Sequence, residues 1–247
     1  MRLTPWLLRR PGLSCPMRLY CFAYAGGNGS IFLPWQDLIH PSIEICAVQL
    51  PGRGARLSEP PAKSLSEVVE QVAQVVLQQG GQRFAFFGHS LGGLIAFELA
   101  RYCERHYLPA PERIFVSGCG APQFRGPLRR VHELGDSALI DVLKDFDGTP
   151  VDLLENTELM TLLLPSIRAD FGLVADYKYQ PNRLLNTPIS VLAGTEDAHV
   201  SPIQVGGWQK ETNKEIRVRW FDGGHFFLHP QKVEIIDYLN CELLSAE

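Results

Sequence analysis

The string Gly88-His89-Ser90-Leu91-Gly92-Gly93 stands between an apolar run, residues 84–87, and a helical stretch that becomes regular near Leu94. A serine at the tip of such a strand-to-helix turn takes a strained backbone conformation. Side chains at 88 and 92 would collide with the neighbouring strand or helix, which explains the glycines. The turn demands a strand followed at once by a closely packed helix, and it lifts one hydroxyl into the open. Ser90 is therefore the candidate nucleophile.

The rest of the chain supplies a matching frame. Residues 17–24 and 43–49 are apolar and β-rich, and residues 64–79 carry apolar side chains at helical spacing through Leu65, Val68, Val69, Val72, Val75 and Val76. Strands at 84–87, 113–118, 189–194 and 216–221 alternate with helices at 94–105 and 230–244. Nearly continuous apolar strands between helices predict an α/β fold with a mostly parallel central sheet flanked by helices on both faces, and a site at the strands' carboxyl ends. Residues 121–186 break this rhythm with helical patterns at 134–146 and 155–179 and no strong strand. They are read as an inserted helical lid that overhangs the elbow and forms a groove for an apolar chain.

With 247 residues, 45% of them hydrophobic, one core is expected, with residues 17–247 as a single domain. Residues 1–16 are read as a poorly ordered N-terminal extension, with Met17 as an alternative start. Trp6-Leu7-Leu8 is too short an apolar run for a signal peptide or a membrane span. A net charge of −4 and the lack of a basic arm argue against nucleic acid. The six cysteines are scattered with no C-x-x-C pair, so neither a zinc site nor a disulfide framework is indicated, and free thiols in a reducing cytoplasm are expected. No cofactor, metal or membrane is expected, and a monomer is.

A serine hydroxyl needs a base, and the base needs a group that fixes its tautomer and stabilises its positive charge. Among the seven histidines, His225 is favoured because Gly223-Gly224-His225-Phe226-Phe227 follows a strand and precedes the last helix. His199 and His229 are rivals on loop placement alone. His89 lies within the elbow and cannot readily turn back on Ser90. Asp197, after the 189–194 strand, fits the order serine, acid, histidine. Glu196 beside it is read as facing away. The developing oxyanion needs two fixed backbone N–H groups. Leu91 supplies one by position, and Ala25, in the Ala25-Gly26-Gly27 loop, is chosen for the other, with Gly26 as rival. That loop lacks the G-x-G-x-x-G or P-loop lysine pattern of a phosphate site.

Several further strings resemble the type II (editing) thioesterases that accompany modular polyketide and nonribosomal peptide synthetases. They are Tyr24-Ala25-Gly26-Gly27, Gln49-Leu50-Pro51-Gly52-Arg53-Gly54 with Arg56, the elbow itself, Leu164-Pro165-Ser166-Ile167-Arg168-Ala169-Asp170-Phe171, and Gly223-Gly224-His225-Phe226-Phe227-Leu228. The resemblance runs from about Leu19 over nearly the whole chain. It implies an α/β-hydrolase fold and cleavage of acyl thioesters from the phosphopantetheine arm of acyl or peptidyl carrier proteins, with the family's catalytic roles carried to Ser90, Asp197 and His225. Arg168 and Asp170 are read as structural charges, and Arg125, Arg129 and Arg130 as candidate contacts to an acidic carrier. A carboxylesterase or lipase would use the same groups on an oxygen ester, and a non-catalytic hydrolase-fold binding protein is the third alternative.

Overall fold

The computed structural model describes residues 4–13, 15–125, 130–146, 148 and 151–244. Strands β1 (Leu7–Leu8), β2 (Met17–Phe22), β3 (Ile43–Val48), β4 (Arg83–His89), β5 (Ile114–Ser117), β6 (Ile189–Gly194) and β7 (Arg217–Phe221) form one sheet in the order β1-β3-β2-β4-β5-β6-β7. Every pairing from β3 to β7 is parallel, and only β1 runs antiparallel to its neighbour.

Alternation along the strands feeds two cores. Tyr20 and Phe22 of β2 and Phe84 and Phe86 of β4 point into one apolar cluster, while Leu19, Cys21, Ala85 and Phe87 point into the other. The first cluster is covered by α1 (Leu65–Gln78) and α2 (Leu91–Arg105). Helix α1 starts cleanly because the Ser64 side chain accepts a hydrogen bond from the Glu67 N–H at 3.2 Å. The inserted segment contains α3 (Asp136–Phe146), α4 (Val151–Glu155) and α5 (Thr157–Ala175). It is followed by the short α6 (Pro202–Gly206) and by α7 (Lys232–Leu244), which covers the second cluster together with a 3₁₀ segment, Gly29–Asp37.

Strand order reverses about β2, because β3 lies on one side of it and β4 on the other. Loops that leave β2 and β4 at their carboxyl ends therefore diverge and open a crevice. Over that end of the sheet the insert builds a small core of its own from Leu139, Leu143, Leu154, Met160, Leu164 and Ile167. Arg168 fastens it internally, donating to the carbonyls of His132 (2.6 Å) and Leu134 (2.5 Å) and to Asp136 Oδ1 (2.6 Å). The last turns of α5 leave this small core, and Leu173 joins the main one.

Within the segment expected to be a poorly ordered extension, the described residues 4–13 and 15–16 have a place in the fold. Leu7 pairs with Val48 and Leu8 with Ala47, and the Trp6 carbonyl accepts from the Gln49 N–H at 2.8 Å. The Arg56 guanidinium lies 4.0 Å from the centre of the Trp6 ring. The reason is tertiary: β3 would otherwise present an open edge of unpaired N–H and C=O groups, and two residues of strand are too few to display an alternation. No helix among the described residues is long and apolar enough to cross a membrane, and no disulfide joins cysteines among them.

Removing residues 1–16 should therefore cost about 2–3 kcal/mol of stability, roughly that of burying one large apolar side chain fully and a second in part. Urea unfolding of the full chain and of a chain starting at Met17 checks this, and coincident midpoints would show that β1 contributes nothing.

Candidate active site

Ser90 bridges β4 and α2 with φ 55 and ψ −113, a conformation that a residue with a side chain rarely adopts. Close approach imposes it. A Cβ at Gly88 would run into the Gly92 carbonyl, and one at Gly92 into the Phe22 carbonyl of β2. The Ser90 N–H donates to the Ser117 carbonyl of β5 at 2.8 Å, so three adjacent strands hold the turn. The preceding His89 is fully buried, with Nδ1 2.9 Å from the Ser117 hydroxyl. Burial first, then the neighbouring His225 and His229, push its pKa well below the ordinary imidazole value. It is a neutral core residue, pointed away from the elbow's hydroxyl.

His225 arrives from the loop after β7 and Asp197 from the loop after β6. The His225 Nδ1–H donates to Asp197 Oδ2 at 2.9 Å, and the Ser90 hydroxyl donates to His225 Nε2 at 3.1 Å. Both partners of the first bond are sheltered, with side-chain exposures of 5% and 1%, which strengthens a charge-assisted bond. Burial works against ionisation of Asp197. The hydrogen bond from His225, its charge and the His199 N–H at 2.8 Å outweigh burial and hold the carboxyl below its usual range. The other candidates fall elsewhere. His199 stacks on Phe146 at 4.1 Å between ring centres, His229 Nε2 lies 3.1 Å from the Tyr24 hydroxyl, and Glu196 is exposed.

The loop after β2 closes as a turn in which the Gly27 N–H donates to the Tyr24 carbonyl at 2.8 Å. Gly26 has φ +75, the left-handed value that a type II turn requires at its third position. The Gly26 N–H donates to Asp170 Oδ2 at 2.7 Å, which withdraws this rival from the oxyanion role. The N–H of Ala25 has no partner among the described residues. Leu91, as the first residue of α2, has no intrahelical acceptor for its own N–H and sits at the positive end of the helix dipole. Two N–H groups are thus left on the loops flanking the serine.

Phe146, at the end of α3, makes an edge contact with the His225 ring at 5.8 Å, and Phe171 and Phe226 add further aromatic surface around these rings. Of the three arginines read as carrier contacts, Arg125 is turned inward to Cys119 Sγ (3.3 Å) and Arg130 is paired with Glu133 (2.7 Å) and Asp176 (3.4 Å). Arg129 lies outside the described residues. One cluster escaped the sequence reading: Asp170 is buried and paired with Arg53, each residue standing in one of the strings quoted above but with nothing in the sequence to join them.

A polar relay of serine, histidine and aspartate at the carboxyl edge of a parallel sheet, beside an elbow of this geometry, defines a serine hydrolase of the α/β-hydrolase class. Comparison with known proteins narrows the class. A family model described as a thioesterase domain matches residues 17–242. The chain is 38% identical to the gramicidin S biosynthesis protein GrsT of Aneurinibacillus migulanus over 92% of its own length and 89% of that protein's. It is 37% identical to the thioesterase PikA5 of Streptomyces venezuelae, covering 97% and 85% of the two chains. Its fold is similar to the solved type II thioesterase BorB from the borrelidin biosynthetic cluster, with TM-score 0.89, 32% identity, and 97% and 98% of the two chains covered. The chain belongs to the thioesterase family and is an enzyme that hydrolyses thioesters.

The buried imidazoles make folding sensitive to acid. His89, His199 and His229 all have pKa values below the ordinary one in the folded protein, burial being the leading cause for each. The unfolded chain takes up protons near pH 6.5 while the folded protein resists. The associated stability is therefore fully present above about pH 6.5 and is lost as pH falls, by up to about 1.4 kcal/mol per pH unit and proton. His199 and His229 are partly exposed and add less than His89. Urea unfolding at pH 6.5 and 5.0 should show a loss of about 1–2 kcal/mol, and a His89→Asn variant a shallower slope. An identical slope in that variant would remove His89 from the account.

Proposed function

We propose that this protein is a serine thioesterase that hydrolyses acyl thioesters on the phosphopantetheine arm of carrier proteins, removing stalled or misprimed acyl groups during polyketide or nonribosomal peptide biosynthesis. The observation that carries this reading is the hydrogen-bonded line from Ser90 through His225 to Asp197 in a chain whose likeness to a type II thioesterase extends over 97% of its length. The gramicidin S biosynthesis protein GrsT and the type II thioesterase BorB of the borrelidin biosynthetic cluster, both similar to this chain, support a role of this kind.

In this mechanism Ser90 Oγ attacks the acyl carbonyl while His225 Nε2, 3.1 Å away, takes its proton. Asp197 keeps the second proton on Nδ1 and stabilises the imidazolium. The tetrahedral oxyanion is met by the N–H groups of Leu91 and Ala25. Collapse breaks the carbon–sulfur bond, and His225 returns its proton to the departing phosphopantetheine thiolate. Thiolate is a good leaving group, so this step asks less of the acid than expulsion of an amine would. His225 then takes a proton from water, the resulting hydroxide attacks the acyl-serine, and the free acid leaves as Ser90 regains its proton. The aromatic surface of Phe146, Phe171 and Phe226 gives the acyl chain an apolar environment. No metal or cofactor takes part in these steps.

The direct test is release of free acid from acetyl- and longer acyl-phosphopantetheinyl carrier protein, alongside a p-nitrophenyl ester, with the parent and Ser90→Ala. Serine-dependent turnover that is faster on carrier thioesters is the expected result. Efficient ester cleavage with carrier thioesters untouched would make the protein an esterase instead, and loss of neither activity in Ser90→Ala would displace Ser90 as nucleophile.

The two adjacent acids give a second test. Asp197→Asn should lower kcat by about 10³–10⁴, the scale on which loss of the orienting carboxylate acts in serine hydrolases. Glu196→Gln should leave it within about twofold, as expected for an exposed side chain away from the reacting groups.

A further inference from the structure

Asp170 is in lid helix α5, Arg53 is in the loop after β3, and 117 positions of chain separate them. Both are buried, at 1% and 5% exposure. Arg53 grips the carboxylate with both terminal nitrogens, Nη1 to Oδ2 at 2.6 Å and Nη2 to Oδ1 at 2.8 Å. The same two atoms that meet at 2.6 Å also reach the turn after β2: Asp170 Oδ2 accepts from the Gly26 N–H at 2.7 Å, and Arg53 Nη1 donates to the Gly27 carbonyl at 3.2 Å.

A buried ion pair of this kind is weak evidence for stability, since apolar residues of similar size often serve as well. What apolar residues could not do is hold the turn. In a four-residue turn the central peptide, here the one joining Ala25 to Gly26, can face either way, and the two orientations separate turn types. A carboxylate against the Gly26 N–H selects one orientation and repels the other, in which the Ala25 carbonyl would face it; the Ala25 N–H lies on the preceding peptide, whose Tyr24 carbonyl is held by the Gly27 N–H of the same turn, so fixing the turn fixes that N–H as well. Helix α5 also packs on the turn directly, since a Cβ at Gly26 would lie 2.8 Å from Ile167 Cγ1. One turn of α5 further braces the Arg53 loop, where the Ser166 hydroxyl donates to the Gly52 carbonyl.

We propose that Arg53 and Asp170 are positioning residues for the oxyanion site: they lock the Tyr24–Gly27 turn so that the Ala25 N–H is held unpaired and preoriented, and they make that geometry depend on the seating of lid helix α5. The proposal rests on the assignment of Ser90 and Ala25 made above. It turns the lid from a cover into a part of the catalytic frame, because electrostatic stabilisation of an oxyanion requires donors fixed before the charge develops.

The test compares the parent with Asp170→Asn and Arg53→Lys, both as full chains, with each rate divided by the concentration of folded protein. A p-nitrophenyl ester supplies kcat and KM, and an alkyl trifluoromethyl ketone, which forms a tetrahedral oxyanion on the serine, supplies an inhibition constant. For Asp170→Asn the expected result is a fall in kcat of about 10²-fold with a matching loss of ketone affinity and KM within about threefold, the pattern for loss of a transition-state donor. Arg53→Lys keeps the charge without the planar fork and should fall between parent and Asp170→Asn. If Asp170→Asn does not fold, the Arg53→Lys arm decides alone: correlated loss of kcat and ketone affinity supports the proposal, and parental values per folded site overturn it. A purely structural pair would lower the yield of folded protein and leave both constants at parental values. Because the ester and the ketone need no carrier, inactivity toward carrier thioesters would defeat the substrate assignment and leave this test readable.

Discussion

Ser90 keeps its left-handed backbone only because β4 and α2 meet more closely than side chains allow. Residues in such sparsely populated conformations cost on the order of 1–3 kcal/mol each. Here the strain is offset by α2, whose Leu94, Ile95, Ala96, Phe97, Leu99 and Ala100 are all fully buried against the sheet. If α2 moved outward by the thickness of a methyl group, Ser90 could relax and its hydroxyl would no longer point at His225. The packing of one helix against β2, β4 and β5 thus holds the Ser90 hydroxyl in place, and the glycines at 88 and 92 permit that packing.

The polar groups at the same end of the sheet are arranged by similar means. Asp197 stays ionised although burial opposes it, because two donors converge on its two oxygens, one from His225 and one from the His199 backbone. His89, one residue before the serine, stays neutral for the opposite reason, with little around it to favour a charge. Tyr24 links the loops on either side: its ring packs edge-on against His89 and Phe226, and its hydroxyl reaches His229 in the turn that follows His225. The loops after β2 and β7 are therefore tied to each other, and α5 joins them through Asp170.

Much of this was legible along the chain. The strands from β2 to β7 and the helices α1, α2 and α7 announce themselves by apolar residues in short runs or at a constant period, and the elbow by its glycines. Ser90, Asp197 and His225 stand out along the chain because each follows a strand, and all strands of a parallel sheet deliver their carboxyl ends to one edge. What the chain did not disclose shares a cause. Strand β1 is two residues long and exists because β3 has an edge to fill. Arg125 and Arg130 read as a basic surface, yet one is turned to Cys119 and the other to Glu133 and Asp176. Asp170 is the structural charge that the sequence suggests, and only its partner, Arg53, was hidden.

By itself, the amino-acid order determined the class of fold, the position of the strained turn and the short set of candidate side chains for acyl transfer. These follow from local properties: the period of apolar residues, the steric demands of glycine and the chain positions that strand ends occupy. The tertiary structure alone decided that His225 rather than His199 or His229 reaches Ser90, that Gly26 is engaged while the Ala25 N–H has no partner among the described residues, and that a lid helix grips the turn through Arg53 and Asp170. Each of those outcomes depends on distances of about 3 Å between residues far apart in the chain. No local propensity encodes such distances, because they are set by how the sheet, its crossing helices and the insert pack together.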